Sequence, residues 1–152
     1  MEVDIIQDYS TMIEKIKRRF LYTRFKACGV SFSEGIILLV IDYSSPSNQD
    51  TISALSGSDK FQTARILNSL EERGLICRGV NPSNKREKLV CLQEEGEKVT
   101  RLLKAAMEEW EAVCFMNFSE EEIENLERIL KKVADNVKMF EETSGKERIQ
   151  EL

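Results

Sequence analysis

Side chains able to read a nucleic-acid base edge recur at intervals of three in Gln62, Arg65 and Asn68. Lys60 precedes them and Ala64 lies between, while Thr63, Ile66, Leu67 and Leu70 fall on the other side of a helix with 3.6 residues per turn. A guanidinium pairs bidentately with guanine O6 and N7, and an amide reads adenine or holds a phosphate, so this face suits the major groove of double-stranded DNA. A second cationic group, Lys85, Arg86 and Lys88, follows downstream and suits phosphates or the minor groove. Lys60, Gln62, Ala64, Arg65, Asn68, Lys85, Arg86 and Lys88 are therefore the candidate DNA-binding residues.

Catalysis has little to work with. The sequence has no histidine, which removes the commonest general base, the commonest zinc ligand and the histidine-dependent nucleophiles together. It also lacks GxGxxG, GxxxxGK and GxSxG. No enzyme, cofactor or metal site is expected. The four cysteines, Cys28, Cys77, Cys91 and Cys114, are spread without close pairs, as in a reducing cytoplasm. If a hairpin pairs Val80 with Lys88, Cys77 faces Cys91 and a thiol switch becomes conceivable. Packing as small hydrophobes is the commoner fate of free cysteines, and no histidine is at hand to stabilise a thiolate.

The elements that must position these groups are legible from periodicity. Ile5, Tyr9, Met12, Ile16, Phe20 and Thr23 step by three and four and predict a long helix over 4–27, stopped by Gly29. Ser33 is expected to cap a second helix through Ile36, Ile37, Val40 and Tyr43, ending before a turn-rich stretch at 44–48. A short third helix covers 49–56 with Ile52 and Leu55 inward. Asp59 and Gln62 resemble a capping box that opens the fourth, which Gly74 ends. Extended segments at 75–80 and 88–92 around a turn at 81–84 predict a β-hairpin.

A fifth helix begins near Glu94, with Val99, Leu102, Leu103, Ala106, Trp110 and Val113 on one side, and ends near Asn117. Ser119 and Glu122 form a capping box for the sixth, with Phe118 placed to staple against Ile123. Within it Ile123, Leu126, Leu130, Val133, Val137 and Phe140 make a narrow heptad-like seam, and Gly145 is expected to stop it. With Ile5, Tyr9 and Met12 of the first helix, this seam is the candidate dimerisation surface. The aromatic residues Tyr9, Phe20, Tyr22, Phe25, Phe32 and Trp110 are expected to pack in the core.

The net charge of −5 is distributed unevenly. Between positions 49 and 92 seven basic residues meet five acidic ones, a surplus of +2, which leaves −7 for the rest of the chain. Only a reading head must approach phosphates, so an acidic frame around a basic middle is compatible with DNA. The longest apolar run, 36–41, is far short of a membrane span, and the first eight residues are acidic rather than basic.

Two short helices joined by a tight turn and followed by a hairpin with a basic tip make the winged form of the helix-turn-helix. Over nearly its whole length the chain resembles the multiple-antibiotic-resistance-regulator (MarR) family of bacterial winged-helix regulators. The likeness is most specific over 59–96, DKFQTARILNSLEERGLICRGVNPSNKREKLVCLQEEG, at Leu70, Glu71, Gly74, Leu75, Ile76, Arg86, Leu92 and Gly96. The resemblance implies a homodimer built from the first and last two helices, often with a small-molecule or oxidant input. Asn84, Lys85 and Arg86 stand where the family usually has Asp-Arg-Arg, so a charged brace in the wing becomes a neutral hydrogen bond. Phe61 replaces a small hydroxyl residue and Ala64 a Thr or Ser.

The expected fold is mainly α with a small β-hairpin wing: a six-helix winged helix-turn-helix in one domain over 1–152. Its DNA-binding region spans 33–93, its dimerisation helices 4–28 and 94–143, and a mobile tail 144–152. The expected function is a cytoplasmic, sequence-specific regulator, a ligand- or stress-responsive repressor acting as a homodimer on a palindromic operator. Two alternatives stand beside it: a dimeric ligand- or protein-binding regulator with weak DNA affinity, or a thiol-based redox sensor.

Overall fold

The computed structural model describes the backbone of residues 5–150 and the side chains of residues 6–143. Among the described residues the order is α1 (Ile5–Ala27), α2 (Phe32–Ser44), β1 (Ser47–Asn48), α3 (Gln49–Ser56), α4 (Lys60–Glu72), β2 (Ile76–Asn81), β3 (Asn84–Leu92), α5 (Glu94–Cys114) and α6 (Glu120–Gln150). The chain divides into two compact units, Met1–Glu111 and Ala112–Leu152.

In the first unit, α1 winds out of the helix at Gly29, whose φ of +79° is the left-handed turn a glycine takes most easily. The cap of α2 is Ser31 and not the expected Ser33. Its hydroxyl accepts the Glu34 N–H at 3.2 Å and the Glu34 carboxylate accepts the Ser31 N–H at 2.8 Å. Ser33 cannot close such a box, because Ile36 stands three residues on.

The core gathers Leu21 and Phe25 from the end of α1, Ile37, Leu38 and Ile41 from α2, Leu67 and Leu70 from α4, and Leu103 from α5, all without solvent exposure. Each such burial contributes about 1.5–3 kcal/mol. Phe25 stacks on Phe32 and Phe20 tilts onto Trp110, as expected of core aromatics, whereas Tyr9 and Tyr22 are exposed. Leu55 and Leu102 also face solvent, against expectation. In the eight residues of α3 the inward side is Ile52, Ser53 and Ser56, which turns Leu55 away. On α5 Leu103 and Ala106 are buried and Val99 and Trp110 pack against the core as expected, with Gly96 and Thr100 also turned inward.

The sheet has three strands in the order β1-β3-β2. The sequence offers no sign of β1, since two residues are too short for any periodicity, yet Ser47 and Asn48 pair with Val90 and Leu89. The hairpin follows the expected register, Val80 opposite Lys88 and Cys77 opposite Cys91, but β3 begins at Asn84 rather than Lys88. Asn81 pairs with Asn84, so residues 85–87 bulge out of the ladder.

In the second unit, Phe115 and Phe118 meet edge to face at 5.9 Å. α5 ends at Cys114, before the expected Asn117, which instead takes a left-handed φ of +67°. The capping box of α6 forms as expected: Ser119 N–H donates to Glu122 at 2.8 Å and Glu122 N–H to the Ser119 hydroxyl at 3.2 Å. Val113 is exposed. Ile123, Leu126 and Val133 are half-buried, while Leu130, Val137 and Phe140 face solvent. α6 runs through Gly145 to Gln150; one glycine costs a helix only about 1 kcal/mol, and no proline follows to end it. The expected tail therefore overlaps the helix, and the side chains from Ser144 onward, like that of Ile5, lie outside the described residues.

Candidate nucleic-acid interface

Helix α4 is held by its inner residues and its cap. Asp59 accepts the Gln62 N–H at 2.8 Å, and the buried Thr63 donates its hydroxyl to the Asp59 carbonyl at 2.9 Å. Only this half of the expected capping box forms, which leaves the Gln62 amide side chain without a hydrogen-bond partner among the described residues. Lys60, Gln62, Arg65 and Asn68 are exposed on the outer face, and Ala64 is half-buried between them. Phe61, 76% exposed, completes that face with an apolar surface of the kind that meets a thymine methyl.

Not every cation on this edge is free. Lys60 pairs with Asp50 at 3.0 Å on the surface. Arg73 bridges to Glu34 at 3.1 Å and donates to the Gly29 carbonyl at 2.6 Å, tying the end of α4 to the turn between α1 and α2. Burial pushes the Glu34 carboxyl up, but the Ser31 N–H and the Arg73 guanidinium outweigh it and hold the group below the usual carboxylate value. Arg78 reaches Glu71 at 3.3 Å and Asn68 at 2.8 Å. Among the described residues Arg65, Lys85, Arg86 and Lys88 form no ion pair, so the charge left to meet a ligand comes from one residue of α4 and the three of the wing.

The wing tip is braced by amides. Asn84 Oδ1 accepts the backbone Arg86 N–H at 3.2 Å, a local turn bond, and among the described residues the Arg86 guanidinium makes no bond to Asn84. Asn81 Oδ1 accepts the Ser83 N–H at 3.0 Å, and Asn81 Nδ2 donates to Glu87 at 2.7 Å. Asn48 of β1 donates to the other oxygen of Glu87. Glu87 thus anchors the bulge from inside while Lys85, Arg86 and Lys88 point outward, all exposed. The sequence reading missed Asn48, Arg78 and Glu87. Glu87 carried one signal, being the only acid among the basic residues of the tip; Asn48 lies 39 positions away and carried none.

No protein-family model matches the chain. Solved structures do. The chain is 27% identical to MarR over 93% of its own length and 98% of that chain, with a TM-score of 0.76. For the transcriptional regulator SlyA the figures are 26%, 89%, 94% and 0.77. For a MarR-family regulator from Listeria monocytogenes, solved in complex with a 26-mer DNA, they are 28%, 90%, 90% and 0.80. The chain is thus similar, in fold and over nearly its whole length, to winged-helix transcriptional regulators of the MarR family.

In MarR-family terms, α3 and α4 are the helix-turn-helix and β2 with β3 the wing. These neighbours are regulators and not enzymes, in agreement with the lack of catalytic groups in the sequence. Among the described residues no helix is long and apolar enough to cross a membrane.

Proposed function

We propose that this chain is a double-stranded DNA-binding transcriptional regulator that works as a homodimer on a palindromic operator and represses by occluding a promoter. A cytoplasmic location and release by a small-molecule effector belong to the same proposal. The observation that carries it is the pairing of one unpaired guanidinium, Arg65, on the outer face of a capped helix with three unpaired cations on the adjoining hairpin. In this reading Arg65 and Gln62 face base edges in the major groove, with Phe61 against a thymine methyl. Asn68, its oxygen already taken by Arg78, meets DNA as a donor, and Lys60 trades Asp50 for a phosphate. Lys85, Arg86 and Lys88 lie along phosphates or in the minor groove. Two copies set their α4 helices about 34–36 Å apart, one turn of the duplex.

The Listeria regulator bound to a 26-mer DNA supports the reading through a shared fold at 28% identity. The test is titration of the purified protein against its own upstream region at two salt concentrations. Binding is expected to weaken about a thousandfold or more between roughly 50 and 200 mM salt, as phosphate contacts release counterions. Feeble binding at both concentrations would overturn the proposal in favour of a ligand- or protein-binding regulator.

A further inference from the structure

Cys77 on β2 and Cys91 on β3 are directly opposed across the hairpin, with their Sγ atoms 2.7 Å apart. That separation lies inside non-bonded sulfur contact and outside a bond. Each thiol is also near the other strand, Cys77 Sγ at 3.7 Å from the Cys91 carbonyl and Cys91 Sγ at 3.9 Å from the Cys77 carbonyl. Paired residues on adjacent antiparallel strands have Cα separations within the span of a disulfide, so a bond here needs no strand shift.

The sulfurs are also reachable. Strand alternation puts Cys77 and Gly79 on one face of β2, beside Leu89 and Cys91 of β3, and turns Val90 to the core. Gly79 has no side chain, and a Cβ built there meets nothing within 4 Å, so the sheet is open next to the half-buried thiols. Cys28 and Cys114 make no sulfur contact among the described residues.

We propose that Cys77 and Cys91 form a reversible dithiol-disulfide site, oxidised by a low-molecular-weight disulfide, that staples the wing hairpin at its base. One protein thiolate attacks a sulfur of the small disulfide; that S–S bond breaks and a small thiol leaves with a proton. The second protein thiol, losing its proton, attacks the protein sulfur of the mixed disulfide and expels the second small thiol. The chain gives up two protons and two electrons, and the small disulfide takes up both. The hydrogen bond with Cys77, then burial, then the charge on Cys77 push the Cys91 thiol up to about 11.

The bond closes the loop from Cys77 to Cys91, which contains Lys85, Arg86 and Lys88, in the register the reduced hairpin already has. A cross-link compatible with the native fold narrows the unfolded ensemble, so the oxidised chain keeps its structure and gains stability. The site rests on the sheet alone and is independent of the proposed DNA reading.

The full chain is incubated with oxidised glutathione, quenched by alkylation and mapped by mass spectrometry without reduction. The expected product has lost two hydrogens, joins the Cys77 and Cys91 peptides, melts several degrees higher and reverts with dithiothreitol. Cys77→Ser and Cys91→Ser are each expected to lose the stabilisation; should either fail to fold, the wild-type peptide map still decides. A stable glutathione adduct at Cys77 or Cys91, a bond from either to another cysteine or another chain, or an internal bond with no rise in melting temperature overturns the proposal.

Discussion

Arg78 of β2 donates from Nη1 to the side-chain oxygen of Asn68 on α4 at 2.8 Å, and the same nitrogen lies 3.3 Å from a Glu71 oxygen. The wing and α4 are therefore joined by a side chain only 17% exposed, not just by their shared core. Hydrogen bonds to a charged group with this much burial stabilise by about 1.5–3 kcal/mol. Arg78→Ala is expected to lower the melting temperature by a few degrees and to release Asn68, so that discrimination among operators falls more than affinity for random duplex. Thermal denaturation together with binding to matched and scrambled sites checks both. Unchanged discrimination would show that Asn68 needs no such restraint.

Arg65 and Lys85 are both exposed and unpaired, but they sit on different elements and are assigned different tasks. A bidentate guanidinium contact to guanine separates right from wrong bases by about 1–3 kcal/mol, whereas a phosphate contact is blind to sequence. Arg65→Ala is expected to flatten the preference for operator over random DNA by roughly tenfold or more. Lys85→Ala is expected to weaken all duplexes alike and to reduce the salt slope by about one per copy. If the two variants behave the same way in such titrations, the division of labour is wrong.

The outer face of α4 was readable because period and capping are local signals: Asp59 marks a start, and Thr63, Leu67 and Leu70 define the inside. The opposition of Cys77 and Cys91 was likewise readable, since a hairpin register follows from its turn and alternation. What escaped depends on partners distant in sequence. Charge counting gave Arg65, Arg73 and Arg78 equal weight, yet Arg73 and Arg78 are committed to Glu34 and Glu71. β1 escaped because Ser47 and Asn48 become a strand only when Leu89 and Val90 arrive beside them. The choice between Ser31 and Ser33 was decidable locally, by asking which serine has a Glu three residues on.

The link between Glu34 and Arg73 makes a pH prediction. Net lowering of the Glu34 pKa means that the folded chain binds its proton less readily than the unfolded chain does. The stabilisation is therefore fully present above the ordinary carboxylate value of 4.5 and is lost as pH falls below it toward the folded value. Glu34→Gln keeps a group able to accept the Ser31 N–H but loses the charge facing Arg73. The melting temperature of this variant is expected to lie below wild type at pH 7 and to converge with it in acid. A gap that stays constant with pH would assign the effect to packing instead.

Gly96 opens the way for α5 to lie against the end of α4. A Cβ there would fall on the Leu75 carbonyl oxygen, the same oxygen that accepts the Gln93 N–H at 2.9 Å. Alanine would favour the helix by about 1 kcal/mol, but overpacking against backbone, which cannot rotate away, costs about 1–3 kcal/mol and often more. Gly96→Ala is expected to be destabilising on balance, with a lower denaturant midpoint and an unchanged slope. Stabilisation would mean that α5 can shift freely, and that the wing is not indexed to it.

A single copy leaves apolar side chains in water in both of its units. On α1 these include Tyr9, Met12, Ile13 and Ile16; on α6 they include Leu130, Val137 and Phe140, the last 72% exposed. Under the proposed homodimer each of these faces meets a second copy, since burying each large side chain returns about 1.5–3 kcal/mol. Met12→Glu replaces one such contact with a charge that must be desolvated at the interface. It is expected to shift the protein from dimer toward monomer in sedimentation equilibrium while leaving its helical circular dichroism intact. Operator affinity should then fall by orders of magnitude, because two half-site contacts no longer act together. Wild-type protein that sediments as a monomer at micromolar concentration would remove the homodimer from the proposal and leave these faces to a different partner.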